Sequence, residues 1–206
     1  MEKFRLILGS ASPRRVELLS LLKLPFKQKL SKYDESLNIS LDPKLKCLEL
    51  ADEKAKDILS SLSEEQRENS FLLTSDTVVF NKNKIFEKPN DKKDAFIILR
   101  ELENSIHTVY TGVKFTFQKE GNIQSKAFVE ETQVEFGTLP ERLLQEYVNS
   151  DEPYDKAGAY GIQGTARVFV KKVNGCFSNV MGLPIYRVKE ELENIFDEKD
   201  LLNYFH

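Results

Sequence analysis

Apolar residues recur along the chain in two rhythms. The run "FRLIL" (4–8) has the length of a strand, and "SP" shortly after it supplies a cap and a proline at the first helical position, predicting a helix through "RRVELLSLL". Asp42 and Pro43 repeat that start signal. Behind them Leu45, Leu48, Ala51, Ala55, Ile58, Leu59 and Leu62 recur at three- and four-residue spacing, predicting a long helix with Lys54 at the edge of its apolar stripe. "FLLTSDTVVF" (71–80) is rich in apolar and β-branched residues, as a central strand requires, and "NKNK" turns it into "IF". Ala95, Ile98, Leu99 and Leu102 mark a helix over 91–102, and the runs 106–118 and 123–136 flank "KEGN" as a hairpin. A helix over 140–148, a strand at "RVFVKKV" and a last helix over 184–196 follow. This mixed order predicts an α/β fold around a mixed sheet, and the lack of repeats or linkers predicts one domain spanning 1–206.

Charge narrows the partners. The 206 residues carry 30 basic and 33 acidic side chains, a formal net charge of −3, so no global field draws the chain to nucleic acid or an anionic membrane. An anion site must be local. No apolar stretch approaches the roughly 20 residues of a membrane span, and the charged opening lacks a signal peptide's apolar core, so the expected location is the cytoplasm. Cys47 and Cys176 are too few for a disulfide framework and read as reduced and structural. With only His107 and His206 present, carboxylates, Lys and Arg must carry any chemistry.

Four stretches suggest such chemistry. In "LILGSASPRR" a strand ends, a small-residue loop turns and a helix begins, so backbone N–H groups are free to meet an anion. Arg14 and Arg15 occupy the first helical turn, where the dipole disfavours cations, and gain most if an anion shares the site. The plainer reading makes Ser12 an ordinary cap and both arginines solvated. The loop lacks the spacing of a Walker motif and of a dinucleotide fingerprint. Asp76 places a carboxylate within an apolar strand, where it needs a metal, a cation, a strand end or structural hydrogen bonds. Asp34 and Glu35 in "YDES" matter only in company, and "EKP" sets Lys88 in a rigid corner. In "SDEPYDKAGAYGIQG" (150–164), a tight glycine- and alanine-rich segment, Gln163 carries an amide able to read a base edge.

Together these stretches resemble the Maf family of nucleoside triphosphate pyrophosphatases. The resemblance runs in order through "SASPRR", "DES", "LADEKA", "SDTVV", "EKP", "HTVYTGV", "DEPYDKAGAYGIQG" and "NVMGLPI". "DKAGAYGIQG" is similar to the branch acting on dTTP and UTP, as opposed to the branch associated with 7-methyl-GTP. The resemblance implies an elongated α/β structure with two lobes around a deep cleft, related to inosine triphosphate pyrophosphatases. It implies Asp76 as proton acceptor, and Arg14, Thr77 and Gln163 as specificity positions. Ser10, Arg14, Arg15, Lys54 and Lys88 would hold phosphates, and Glu35 with Asp76 would hold Mg²⁺ or Mn²⁺. Whether Asp76 is base, metal ligand or both stays open. The implied reaction releases pyrophosphate and a nucleoside monophosphate. A homodimer is compatible with these residues but not required by them. Two rivals are a non-catalytic nucleotide-sensing regulator and a pyrophosphatase for other modified nucleotides. Three departures stand out: Ser75 where the family usually has Ala, a missing glycine in "ENSIH", and Asp151 before "EP". The first is expected to put a hydroxyl beside the proposed base.

Overall fold

The computed structural model describes residues 4–37, 40, 42–119, 121–197 and 201–205. Strand β1 (Arg5–Gly9) leads through a loop into helix α1 (Pro13–Ser20), then to β2 (Phe26–Gln28) and a 3₁₀ turn at Glu35–Leu37. Helix α2 (Pro43–Ser60) starts where expected, because the Asp42 side chain accepts from the Lys44 and Leu45 N–H groups and Pro43 needs no acceptor. Next come α3 (Glu64–Glu68), β3 (Ser70–Asn81), β4 (Lys84–Phe86), α4 (Lys92–Leu102), β5 (Ile106–Lys119), β6 (Asn122–Phe136) and α5 (Glu141–Val148). The chain continues through β7 (Val170–Asn174), α6 (Phe177–Val180) and α7 (Ile185–Phe196). "RVFVKKV" departs from expectation: Thr165–Phe169 is 3₁₀, and only the second half joins the sheet as β7. Phe169 turns into the core there and the chain cannot yet pair.

The seven strands form one mixed sheet in the order β2-β1-β3-β5-β6-β7, with β4 paired to β3. β1 lies parallel to β2 and β3, whereas β3, β5, β6 and β7 are successively antiparallel. A parallel neighbour needs a crossover, and α1 and α2 lie in the chain between β1 and β3. Alternation along β1 and β3 sends Ile7 and Leu72 to one face, where they meet Ala55, Ile58 and Leu62. Leu6, Leu8, Phe71 and Leu73 point to the opposite face and the larger core, which α4, α5 and α7 cover.

Helix α2 is rotated from the expected stripe. Leu45 is 54% exposed, while Lys46, Cys47, Leu50 and Lys54 are buried with Ala51, Ala55 and Ile58. The reason is a close approach to the sheet. A Cβ on Gly112 would lie 2.5 Å from the Cys47 carbonyl oxygen, so the helix backbone rests directly on β5. Thr74 Oγ1 donates to Ala51 O at 2.7 Å and fixes the helix against β3 as well. Both cysteines are free thiols, and burial raises the Cys47 pKa to about 12.

Two consequences are measurable. Gly112→Ala forces α2 off the sheet, and we expect a loss of about 2 kcal/mol, or roughly 4–8 °C in thermal unfolding. Gly137→Ala, whose Cβ meets nothing nearer than 4.0 Å, is the control and leaves the midpoint unchanged. His107 lies in the core with Nε2 2.8 Å from the Tyr160 hydroxyl, and burial pushes its pKa down to about 3. The unfolded chain takes up that proton near pH 6.5, so this stabilisation is complete above that pH and is lost as pH falls toward 3. The slope is at most about 1.4 kcal/mol per pH unit. Denaturant titrations at several pH values should give a shallower acid loss for His107→Gln than for the parent.

Candidate active site

The corner after β1 is organised by Ser10, not by its expected cap. Ser12 stands at the N-cap of α1 but makes no side-chain cap bond; its N–H donates instead to Ser10 Oγ at 3.1 Å. Gln28 Nε2 from β2 donates to Ser10 O at 2.6 Å and holds the loop from the other side.

Arg15 turns inward from α1 and is buried, which corrects the solvated reading. Its Nε donates to Gly182 O at 2.8 Å, Nη1 to Ser75 O at 2.7 Å and to Ser10 Oγ at 3.2 Å, and Nη2 to Thr77 Oγ1 at 3.0 Å. All four partners are neutral, so the positive charge is oriented but not cancelled at contact. Burial lowers the Arg15 pKa and neighbouring Arg14 adds to that, while the charge of Asp76 opposes it. Gly182 makes this possible, with φ +104 and a Cβ position only 3.2 Å from Arg15 Nε and 3.3 Å from Thr77 Oγ1. Arg14 points across the cleft, its Nη1 2.8 Å from Asp155 Oδ2. Burial works against the Asp155 carboxylate, but Lys156 and Arg14 hold its pKa below the usual range.

Asp76 lies on the α2 face of β3, 7% exposed, and finds the cation that its burial demands. Lys54 Nζ donates to Asp76 Oδ1 at 2.5 Å and stands 2.7 Å from Glu35 Oε1. Lys88 reaches the other Glu35 oxygen at 3.6 Å. Burial opposes the Glu35 charge, yet Lys54 foremost, then Lys88 and Arg15, bring its pKa below the ordinary carboxylate value.

The next residue faces the other way. Thr77 Oγ1 is 2.9 Å from Thr111 Oγ1, its partner in register on β5, and Thr111 Oγ1 donates to Asn179 O at 3.2 Å. Ser75 shares that face, so its hydroxyl is not beside the Asp76 carboxylate as expected; it is buried and lacks a hydrogen-bond partner. Gln163 ends the segment opposite, with a buried Oε1 that no protein group satisfies. Glu152 shapes that segment by accepting from the Thr165 N–H at 3.1 Å and from its hydroxyl.

A cleft of about 350 Å³ opens between these elements, and along its lining five cationic side chains face three carboxylates. The excess of two positive charges contrasts with the chain's net −3 and marks a polyanion site. Every expected site residue lies here: Ser10, Arg14, Arg15, Glu35, Lys54, Asp76, Thr77, Lys88 and Gln163. Asp155, Lys156, Thr111 and Asn179 were not anticipated. The first two sit in the quoted "DKAG", where the acid and lysine were a usable signal; the other two depend on hairpin register and a return of the chain from α6.

The donor set fits a hard divalent cation. Glu35 and Asp76 converge on one ammonium, so their oxygens already reach a common point, and Mg²⁺ is commonly held by one or two carboxylates plus substrate phosphates. No group of three or more His, Cys, Asp and Glu that could hold a metal ion is found among the described residues.

Comparison with known proteins places the whole chain. The family described as Maf-like protein matches residues 5–195. A dTTP/UTP pyrophosphatase of Thermosipho africanus is 42% identical over 184 residues, 89% of this chain and 90% of the relative. Proteins of the same description from Clostridium perfringens and Carboxydothermus hydrogenoformans are each 38% identical, covering 92% and 91% of this chain and 96% and 97% of their own. On the match across nearly its whole length and a cleft that gathers the motif residues, the chain belongs to the Maf family.

Proposed function

We infer that the protein is a nucleoside triphosphate pyrophosphatase that hydrolyses dTTP and UTP to the monophosphate and pyrophosphate. The observation that carries this reading is the buried Asp76–Lys54 pair, joined by the half-exposed Glu35 carboxylate, inside a cleft with excess positive charge. The reading treats residues 1–206 as one cytoplasmic domain whose partner is the nucleotide, with neither nucleic acid nor membrane. The net charge of −3 supports it, as does the lack of any membrane-crossing helix among the described residues. A second copy of the chain is compatible with it.

Hydrolysis at the α-phosphorus needs the polyanion neutralised, a water aimed in line and the leaving group stabilised. Ser10, the α1 N-terminus and Arg15 form the fixed end of the phosphate grip, since Arg15 is locked by four bonds and reorganises little. Arg14 is held by Asp155, and an incoming phosphate competes with that carboxylate for the same guanidinium. Lys88 adds charge from the opposite rim. Lys54 occupies Asp76 Oδ1, leaving Oδ2 to accept a proton from the attacking water. Glu35 and Asp76 would hold Mg²⁺ or Mn²⁺, which when bound supplies charge neutralisation on the phosphates. Thr77 and Gln163, on the far face of β3 and the facing segment, would read the base.

Pyrophosphate release across dTTP, UTP, CTP, ATP, GTP and 7-methyl-GTP, with Mg²⁺ or Mn²⁺, tests the reading; orthophosphate as first product or inactivity on dTTP and UTP contradicts it. Asp76→Asn keeps the shape beside Lys54, and we expect turnover to drop about 10²–10⁴-fold while nucleotide affinity by calorimetry stays within a few-fold. Turnover at the parental rate removes Asp76 from the mechanism. Gln163→Ala should shift the preference among bases by about tenfold in kcat/KM ratios. An equal loss on every nucleotide would count against a base-reading role.

A further inference from the structure

A threonine hydroxyl has one proton and two lone pairs, so its neighbours decide what it can still offer. Arg15 Nη2 fills one lone pair of Thr77 Oγ1 at 3.0 Å, because a guanidinium only donates. Thr111 Oγ1 lies 2.9 Å from Thr77 Oγ1 and 3.2 Å from Asn179 O, and a carbonyl only accepts. Both contacts are hydrogen bonds at once only when Thr111 donates to Asn179 O, which also accepts from the Gly182 N–H at 2.9 Å, and Thr77 donates to Thr111. The chain of bonds runs one way, from guanidinium to carbonyl. Its far end is rigid: Asn179 is fully buried, and its Nδ2 donates to Val109 O at 3.1 Å and Thr132 Oγ1 at 3.0 Å. Thr77 lines the cleft with a single lone pair left.

We propose that Thr111 is a positioning residue for specificity: by taking the Thr77 proton it makes Thr77 a pure acceptor, which selects a pyrimidine bearing ring N3–H over one bearing a lone pair there. The proposal rests on the reading above that Thr77 faces the base. Thymine and uracil carry the N–H between two carbonyls; cytosine presents a lone pair, and two facing acceptors in a partly buried wall repel. Thr111 never touches the substrate. It acts only by fixing the polarity of its neighbour.

Thr111→Val keeps the shape and removes the acceptor, so the Thr77 proton turns into the cleft. The UTP-to-CTP ratio of kcat/KM should fall by about tenfold, mainly through KM, and Thr111→Ser should restore it. Thr111 is fully buried, so circular dichroism and thermal unfolding accompany each variant. A substrate analogue on the parent protein gives an independent test that needs no variant to fold. 3-Methyl-UTP keeps both ring carbonyls but has no N3–H, and should be rejected by about tenfold or more relative to UTP. An unchanged ratio in folded Thr111→Val, an equal loss on both nucleotides, or 3-methyl-UTP turned over like UTP overturns the proposal while leaving pyrophosphatase function intact. Failure of the parent on UTP and dTTP removes both.

Discussion

A carboxylate buried in a sheet must be paired, and much of this structure follows from how Asp76 is paired. An uncompensated charge there costs several kcal/mol, so a cation has to arrive from the layer packed on that face. That layer is α2, and Lys54 is delivered only because the helix lies in backbone contact with β5 at Gly112. The rotation that buries Lys54 also exposes Leu45 and buries Cys47. Packing and chemistry are therefore the same constraint, since the small residue that lets the helix approach also sets the distance between ammonium and carboxylate.

Strand alternation divides the work. Asp76 faces α2 with Lys54 and Glu35, while Thr77 faces Arg15, Thr111 and the segment ending in Gln163. Two neighbouring residues thus serve opposite sides of one sheet. Arg15 joins the two halves by binding Ser75 O and Thr77 Oγ1 together. Its partners are neutral, so it braces the wall while leaving its charge for an anion.

The facing wall is built from a segment with little regular structure, and internal polar bonds give it shape. Glu152 holds Thr165, Lys156 Nζ lies 2.5 Å from Asp155 Oδ1, and Asp155 reaches Arg14 across the cleft.

The sequence by itself determined most of the elements, because periodicity, caps and turn residues are local. It also pointed to Asp76, since one acid among ten strand residues is an anomaly visible without coordinates. The quoted motifs named Arg14, Arg15, Glu35, Lys54, Lys88 and Gln163 as one set, and all of them line the cleft. Tertiary structure decided the rest. Which side of α2 is buried depends on a glycine 65 residues away from Cys47, so the stripe was right at Ala51, Ala55, Ile58 and Leu62 but misplaced at Leu45. Arg15 is a buried brace, which overturns the plainer solvated alternative, because its acceptors come from the loop after β1, from β3 and from the turn at Gly182. Ser75 lost its expected place beside the Asp76 carboxylate because successive strand residues face opposite ways. Thr111 and Asn179 carried no local signal at all, since hydrogen-bond polarity is a property of a network, and the network exists only once register and return of the chain bring its members together.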